Sequence, residues 1–174
     1  MLKVQIWIFD LSTIIANPKN KYSFETNINE CELIKNDNNY LLNPIKTIEI
    51  LNKDDDGFFL MIEGSQIDWG GHENNYEYMK TELFDLNETM NAILDYAEQQ
   101  GDVLVVVTAD HETGGLSLHP NKENKKKFTP NYSTGGHSGI MVPVFAFGPG
   151  AENFGGIYEN TEVHFKFKKL LGLE

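Results

Sequence analysis

The apolar positions of this chain fall into runs of two kinds. Residues 57–64 ("GFFLMIEG") and 102–110 ("DVLVVVTAD") are short and unbroken by polar positions until their ends, as expected of strands buried on both faces. Residues 141–148 ("MVPVFAFG") read as a third such strand, although Pro143 suits a sheet edge better. Between residues 76 and 100 the period changes. Tyr76, Met79, Leu83, Leu86, Met90, Ile93 and Ala97 advance by steps of three and four, which is one face of a long helix that Gly101 ends. Ile45, Ile48 and Leu51 repeat at helical spacing behind Pro44. A last helix is expected over 160–171, with Asn160 as its cap and Gly172 as its stop. Residues 4–9 suit a strand; the remainder of the segment before residue 41 is rich in Asn and Lys and predicts no element.

Strand, helix and strand over residues 57–110 make a crossover unit, and crossovers join parallel strands. The predicted class is α/β, a largely parallel sheet sandwiched by helices. In such sheets ligands bind beyond the carboxyl ends of the strands. The polar residues collect at those ends. The first strand finishes in Glu63 and leads through "GSQIDWGGH" to Asp68 and His72; the second finishes in Asp110 and His111. His137, in "STGGHSG", arrives just before the third. Imidazole and carboxylate groups are ordinary zinc ligands, and an oxygen donor such as Glu63 suits magnesium. Each residue also has a plainer reading: His111 as a hydrogen-bonded core histidine, Glu63 as a helix cap. Against those readings, charged groups closing so apolar a strand would each cost several kcal/mol if left unpaired. Gly-Gly pairs at 70–71, 114–115 and 135–136 flank all the clusters.

Composition narrows the partners. The 174 residues, 40% hydrophobic and 11% aromatic, suffice for a real core. A net charge of −12 argues against nucleic acid and against an anionic membrane surface, while a cation binder also reads as acidic when its metals are not counted. The one basic cluster, "NKENKKKF" at 121–128, reads as a solvated loop, and no apolar stretch is long enough to span a membrane. Asp10 splits the apolar opening "MLKVQIWIFDLSTIIA", so no signal peptide is read there. Cys31 stands alone, which excludes an internal disulfide and a cysteine zinc site. His119 and His164 read as surface residues, and Ser12 has no base beside it to make it a nucleophile.

Three long motifs, "GFFLMIEGSQIDWGGHENN", "VLVVVTADHETGGLSL" and "STGGHSGIMVPVFAFGPGAENFGGIYENTEV", closely resemble the C-terminal part of bacterial alkaline phosphatases. The likeness runs from about residue 40 to the end. It therefore divides the chain into a divergent segment, 1–40, and the C-terminal part of an alkaline-phosphatase-like metal-binding domain, 41–174. The resemblance implies a phosphate monoester hydrolase with two zinc ions and one magnesium ion. By position, Asp68, His72 and His137 look like the protein ligands of the first zinc, Asp110 and His111 like ligands of the second, and Glu63 like a magnesium ligand. Small-molecule phosphate monoesters are the implied substrates, a homodimer the implied assembly of full-length members, and the periplasm or the cell exterior the implied location.

The departures are as informative. The family's nucleophile lies in an Asp-Ser-Ala or Asp-Ser-Gly element, and this sequence has no Asp-Ser pair; nor does it contain any arginine to clamp phosphate. The resemblance thus implies an incomplete sheet and a C-terminal fragment or truncated gene product. Two functions compete: a metal-dependent hydrolase with incomplete machinery, and a non-catalytic metal- or phosphate-binding remnant that works with a partner chain. A sulfatase or phosphomutase shares the metal geometry, but "EGSQIDWGGH" and "TADHETGG" favour the phosphatase.

Overall fold

Strands that lack a polar face need cover on both sides, and helices supply it here. The structure is a computed structural model and describes residues 4–8, 35–36, 39–40 and 44–173; Ser12, Cys31 and most of the 1–40 segment lie outside the described residues. Strand β1 (Val4–Ile8) is followed by a two-residue antiparallel pair, β2 (Lys35–Asn36) and β3 (Asn39–Tyr40), and by helix α1 (Pro44–Leu51). Next come β4 (Phe58–Ile62), α2 (Gln66–His72), α3 (Tyr76–Gln100) and β5 (Val103–Val107). The remainder contributes β6 (Glu112–Thr113), β7 (Ser117–Pro120), β8 (Phe128–Asn131), β9 (His137–Ser138) and β10 (Phe145–Phe147). A 3-10 turn (Ala151–Phe154) and α4 (Glu162–Leu171) complete it.

The main sheet has the order β10-β5-β1-β4. Strands β5, β1 and β4 are parallel, with Val4 opposite both Phe58 and Val103, and Ile8 opposite both Ile62 and Val107. β4 and β5 are therefore not neighbours: the connection through α2 and α3 steps over β1. Because all three strands run the same way, β4 and β5 still release their carboxyl ends at one rim. The largely parallel α/β arrangement expected from the periodicities is what forms.

Alternation along β5 sorts the core into two layers. Val103 and Val105 face Phe58, Leu60, Ile48 of α1, and Ile93 and Ala97 of α3. Leu104 and Val106 face Phe154, and Val163 and Phe167 of α4. Burying each of these larger side chains is worth about 1.5–3 kcal/mol, so the sheet is held from both faces. Helix α3 starts where the Asn75 side chain accepts from the Tyr78 N–H at 3.1 Å and ends at Gly101. Only part of its predicted apolar face meets the sheet. Leu86, Met90, Ile93 and Ala97 pack there, Met79 meets α2, and Leu83 between them stays 50% exposed. At about 1.5 Å per residue the helix is longer than the strands it covers.

Two expectations require correction, and one feature was not expected. Residues 141–148 are not a third buried strand: only Phe145–Phe147 pair, antiparallel to β5, with Phe145 64% and Phe147 43% exposed. Pro143 has no N–H to give to a ladder, and its carbonyl instead accepts from Thr108 Oγ1 at 3.1 Å. Helix α4 begins two residues after Asn160, which contributes a backbone carbonyl to Val163 N rather than a side-chain cap. Finally, short antiparallel pairs not expected from the pattern decorate the rim. One is the hairpin β7–β8, whose 121–127 loop carries the lysine cluster in solvent as expected and is turned by Asn121 Oδ1 accepting from the Glu123 and Asn124 N–H groups. Among the described residues, no helix is long and apolar enough to cross a membrane.

Candidate metal centre

The rim is assembled from two segments that leave the sheet and one that returns to it. After β4 the chain passes Glu63 and enters α2, where Asp68 and His72 lie four residues apart and hence on one face, one turn above the other. The helix is seated by a close approach to α3. A Cβ at Gly70 would lie 2.8 Å from the backbone N and Cα of Met79, so only glycine lets the two helices meet this closely. The His72 ring is oriented by its Nδ1, which donates to the Gly135 carbonyl at 2.8 Å. A carbonyl only accepts, so in the neutral ring the lone pair sits on Nε2.

The second segment follows β5. Asp110 Oδ1 accepts the His111 N–H at 3.0 Å, and His111 leads directly into β6. β6 pairs antiparallel with β9, setting Thr113 opposite His137 and Glu112 opposite Ser138. The Glu112 carboxylate fastens this corner: it accepts from the Gly115 and Leu116 N–H groups, both at 3.1 Å, and from the Ser138 hydroxyl. Gly114 N donates to the Gly136 carbonyl at 2.9 Å, tying the 133–138 loop to the same strand end. Tyr132 packs under the corner, and its burial pushes the phenol above its ordinary pKa, with a smaller push from Tyr76.

His137 is thereby carried to α2. Its Nε2 lies 3.3 Å from His72 Nε2 and 3.8 Å from Asp68 Oδ1, and His72 Nε2 lies 3.3 Å from Asp68 Oδ2. The three ligand atoms fall within 4.8 Å of one another. Donors about 2.0–2.2 Å from a tetrahedral zinc ion are separated by about 3.3–3.6 Å along the tetrahedron's edges; the two imidazole nitrogens stand at that spacing, and Asp68 turns one carboxylate oxygen toward each of them. Lone pairs pointed at one another without a cation between them would repel. Asp68 is largely covered, its side chain 19% exposed, whereas His72 at 41% and His137 at 48% face solvent, which leaves one side of the triangle open. An apolar-walled cavity of about 380 Å³ reaches Asp68, His111 and Thr113.

Asp110 and His111 form a second pair, with His111 Nε2 3.1 Å from Asp110 Oδ2. The His111 ring stacks on His137 with centroids 3.4 Å apart, so the pair adjoins the triangle. Glu63 stands apart at the end of β4, outside the donor triangle. His119 and His164 are on the surface and away from the rim cluster, as expected. Sequence reasoning passed over Glu112 and Thr113, which make no contact a motif would signal; only their alternation along a two-residue strand sends one side chain to the corner and the other to the site.

The glycine pairs at 70–71 and 114–115 have a steric origin, whereas a Cβ at Gly135 or Gly136 would meet nothing closer than 3.5 Å. Gly114 has φ +91°, and a Cβ there would lie 2.8 Å from the Tyr132 ring and 2.9 Å from the Gly71 carbonyl oxygen. Gly114→Ala is expected to cost about 1–3 kcal/mol in backbone strain alone and to push α2 away from β6. A lower urea midpoint together with weakened zinc uptake would show this; unchanged values of both would refute it.

Comparison with known proteins gives the family. A family model described as alkaline phosphatase matches residues 42–131. Alkaline phosphatase 3 of Bacillus subtilis is 31% identical over 186 aligned residues, covering 67% of this chain and 40% of the relative. The solved structure of alkaline phosphatase from the Antarctic bacterium TAB5 superposes with a TM-score of 0.70 at 46% identity, covering 75% of this chain and 40% of that one. A histidine variant of the TAB5 enzyme, solved with Mg bound in its M3 site, gives a TM-score of 0.67 at 43% identity, covering 74% of this chain and 40% of that one. The chain thus spans about two fifths of the length of the relatives it matches. With a donor triangle on the strand-end rim, a family model matching more than half its residues and relatives aligned over two thirds or more of it, the chain belongs to the alkaline phosphatase family.

Proposed function

We propose that this chain is the metal-holding part of a phosphate monoester hydrolase. Asp68, His72 and His137 would hold a first zinc ion, Asp110 and His111 a second, and Glu63 a magnesium ion. The observation that carries the reading is the donor cluster: the His72 and His137 Nε2 atoms stand 3.3 Å apart, the edge of a tetrahedral zinc shell, and Asp68 Oδ2 and Oδ1 lie 3.3 and 3.8 Å from them. The magnesium assignment is supported more distantly, by the Mg-containing TAB5 variant. When bound, such ions polarise phosphoryl oxygen and acidify water. The chain's own residues do the rest: α2 and β9 orient the donors, Gly135 and Thr113 hold two imidazoles and a carboxylate in place, and the open side of the triangle admits a phosphate oxygen.

The chain contains neither arginine nor an Asp-Ser pair, so within these residues no guanidinium grips phosphate and no serine in that setting accepts it. That observation favours a second reading, a non-catalytic metal- or phosphate-binding chain that acts with a partner. Incubating the chain with zinc, magnesium and a chromogenic phosphate ester separates the two. Slow, chelator-sensitive release of product supports an incomplete hydrolase; phosphate binding with no release supports the second reading. Brisk turnover by the chain alone would contradict both.

A further inference from the structure

We propose that Thr113 is a positioning residue that joins the two donor sets through its single hydroxyl. The proposal rests on the reading of those sets as metal ligands. Thr113 Oγ1 donates to Asp68 Oδ1 at 2.5 Å and lies 3.2 Å from His111 Nδ1. A carboxylate only accepts, so the hydroxyl proton belongs to Asp68. What remains for His111 is a lone pair on the oxygen, and the ring must supply the proton from Nδ1. In the neutral ring the free lone pair of His111 is then on Nε2, the atom that faces Asp110 Oδ2 at 3.1 Å. One side chain therefore aims the carboxylate of the triangle and sets the tautomer of the neighbouring imidazole.

The backbone makes this placement possible. Thr113 is opposite His137 in the β6–β9 ladder, while the preceding Glu112 turns to Ser138 and the 115–116 amides. The side chain of Thr113 is thus sent to the site by the two-residue period of the strand. Its β-branch restricts χ1, which keeps the hydroxyl where both partners can use it.

Thr113→Val keeps the shape and removes both bonds. Partners that orient a metal ligand are worth about 10–100-fold in metal affinity, and Thr113→Val is expected to weaken zinc binding of the full chain by that factor in competition with a chromogenic chelator. Thr113→Ser, which retains the hydroxyl, should recover most of the affinity; Thr113→Ala should match the valine variant. Long-range 15N NMR of the metal-free chain gives a readout that packing alone would not move: His111 is expected as the Nδ1–H tautomer, and this preference should vanish in Thr113→Val but persist in Thr113→Ser. Wild-type zinc affinity in Thr113→Val, or an unaltered His111 tautomer, would overturn the proposal. Failure of the metal reading looks different: zinc uptake would then be unaffected by His137→Ala as well.

Discussion

His137→Ala is expected to abolish tight zinc binding while leaving the fold in place. The imidazole is one corner of the donor triangle and is itself nearly half exposed, so its removal takes a ligand without opening the core. A lost ligand should cost more than the roughly 10–100-fold that follows loss of an orienting partner, because one of three protein donors is gone and only water can replace it. Zinc retained after gel filtration, or a chelator competition titration, reads the effect. His119→Ala is the control: the residue sits on the exposed strand β7, paired to Ser117, and its loss should leave zinc content unchanged. Unchanged zinc content in His137→Ala would eliminate the triangle as the binding site.

Phe58→Ala should produce the largest loss of stability. The ring is 1% exposed and lies at the start of β4, among Ile48, Ile93 and Val103, where helix, helix and sheet meet. Truncating a buried phenylalanine removes its transfer free energy and leaves a cavity, about 3–5 kcal/mol together. Set against a total of about 5–15 kcal/mol for a domain, that is a large share. With a urea slope of about 1–3 kcal/mol/M, the unfolding midpoint should fall by about 1–5 M. Phe145→Ala, on the exposed edge strand, should move the midpoint very little, since surface changes stay within about 0.5 kcal/mol. Equal midpoint shifts for the two variants would mean that the two-layer core is wrong.

The two substitutions probe the parts of the molecule that were most and least legible in the sequence. Burial of residues 58–62 and 103–107 was written in their unbroken apolar character, because a strand covered by helices on both sides has no position to leave polar. Helix α3 was equally plain from its three-and-four spacing, and Asn75 and Gly101 flank it with ordinary end signals. The same reasoning failed at residues 141–148. That run is as apolar as the others, yet it pairs for only three residues at an edge, where Pro143 withholds a donor and the phenylalanines meet solvent. Apolar content alone does not distinguish a central strand from an edge. The distinction lies in which neighbours arrive.

The site shows the same division. Asp68 and His72 could be placed together from sequence, since four residues on a helix make one turn, and Asp110 and His111 are adjacent in the chain. That His137 reaches Asp68 across 69 residues is decided by a two-residue ladder between β6 and β9, too short to leave a periodic signal. Thr113 and Glu112 acquire their partners only when that ladder forms. Local spacing, set by the fixed geometry of helix and strand, thus determined the elements, the class and the candidate ligands of this protein. Their convergence was decided by tertiary contacts: β1 inserted between β4 and β5, α2 seated on α3 through Gly70, and the corner fastened by Glu112. Distances between remote residues depend on the sum of many such contacts, and no single stretch of chain encodes that sum.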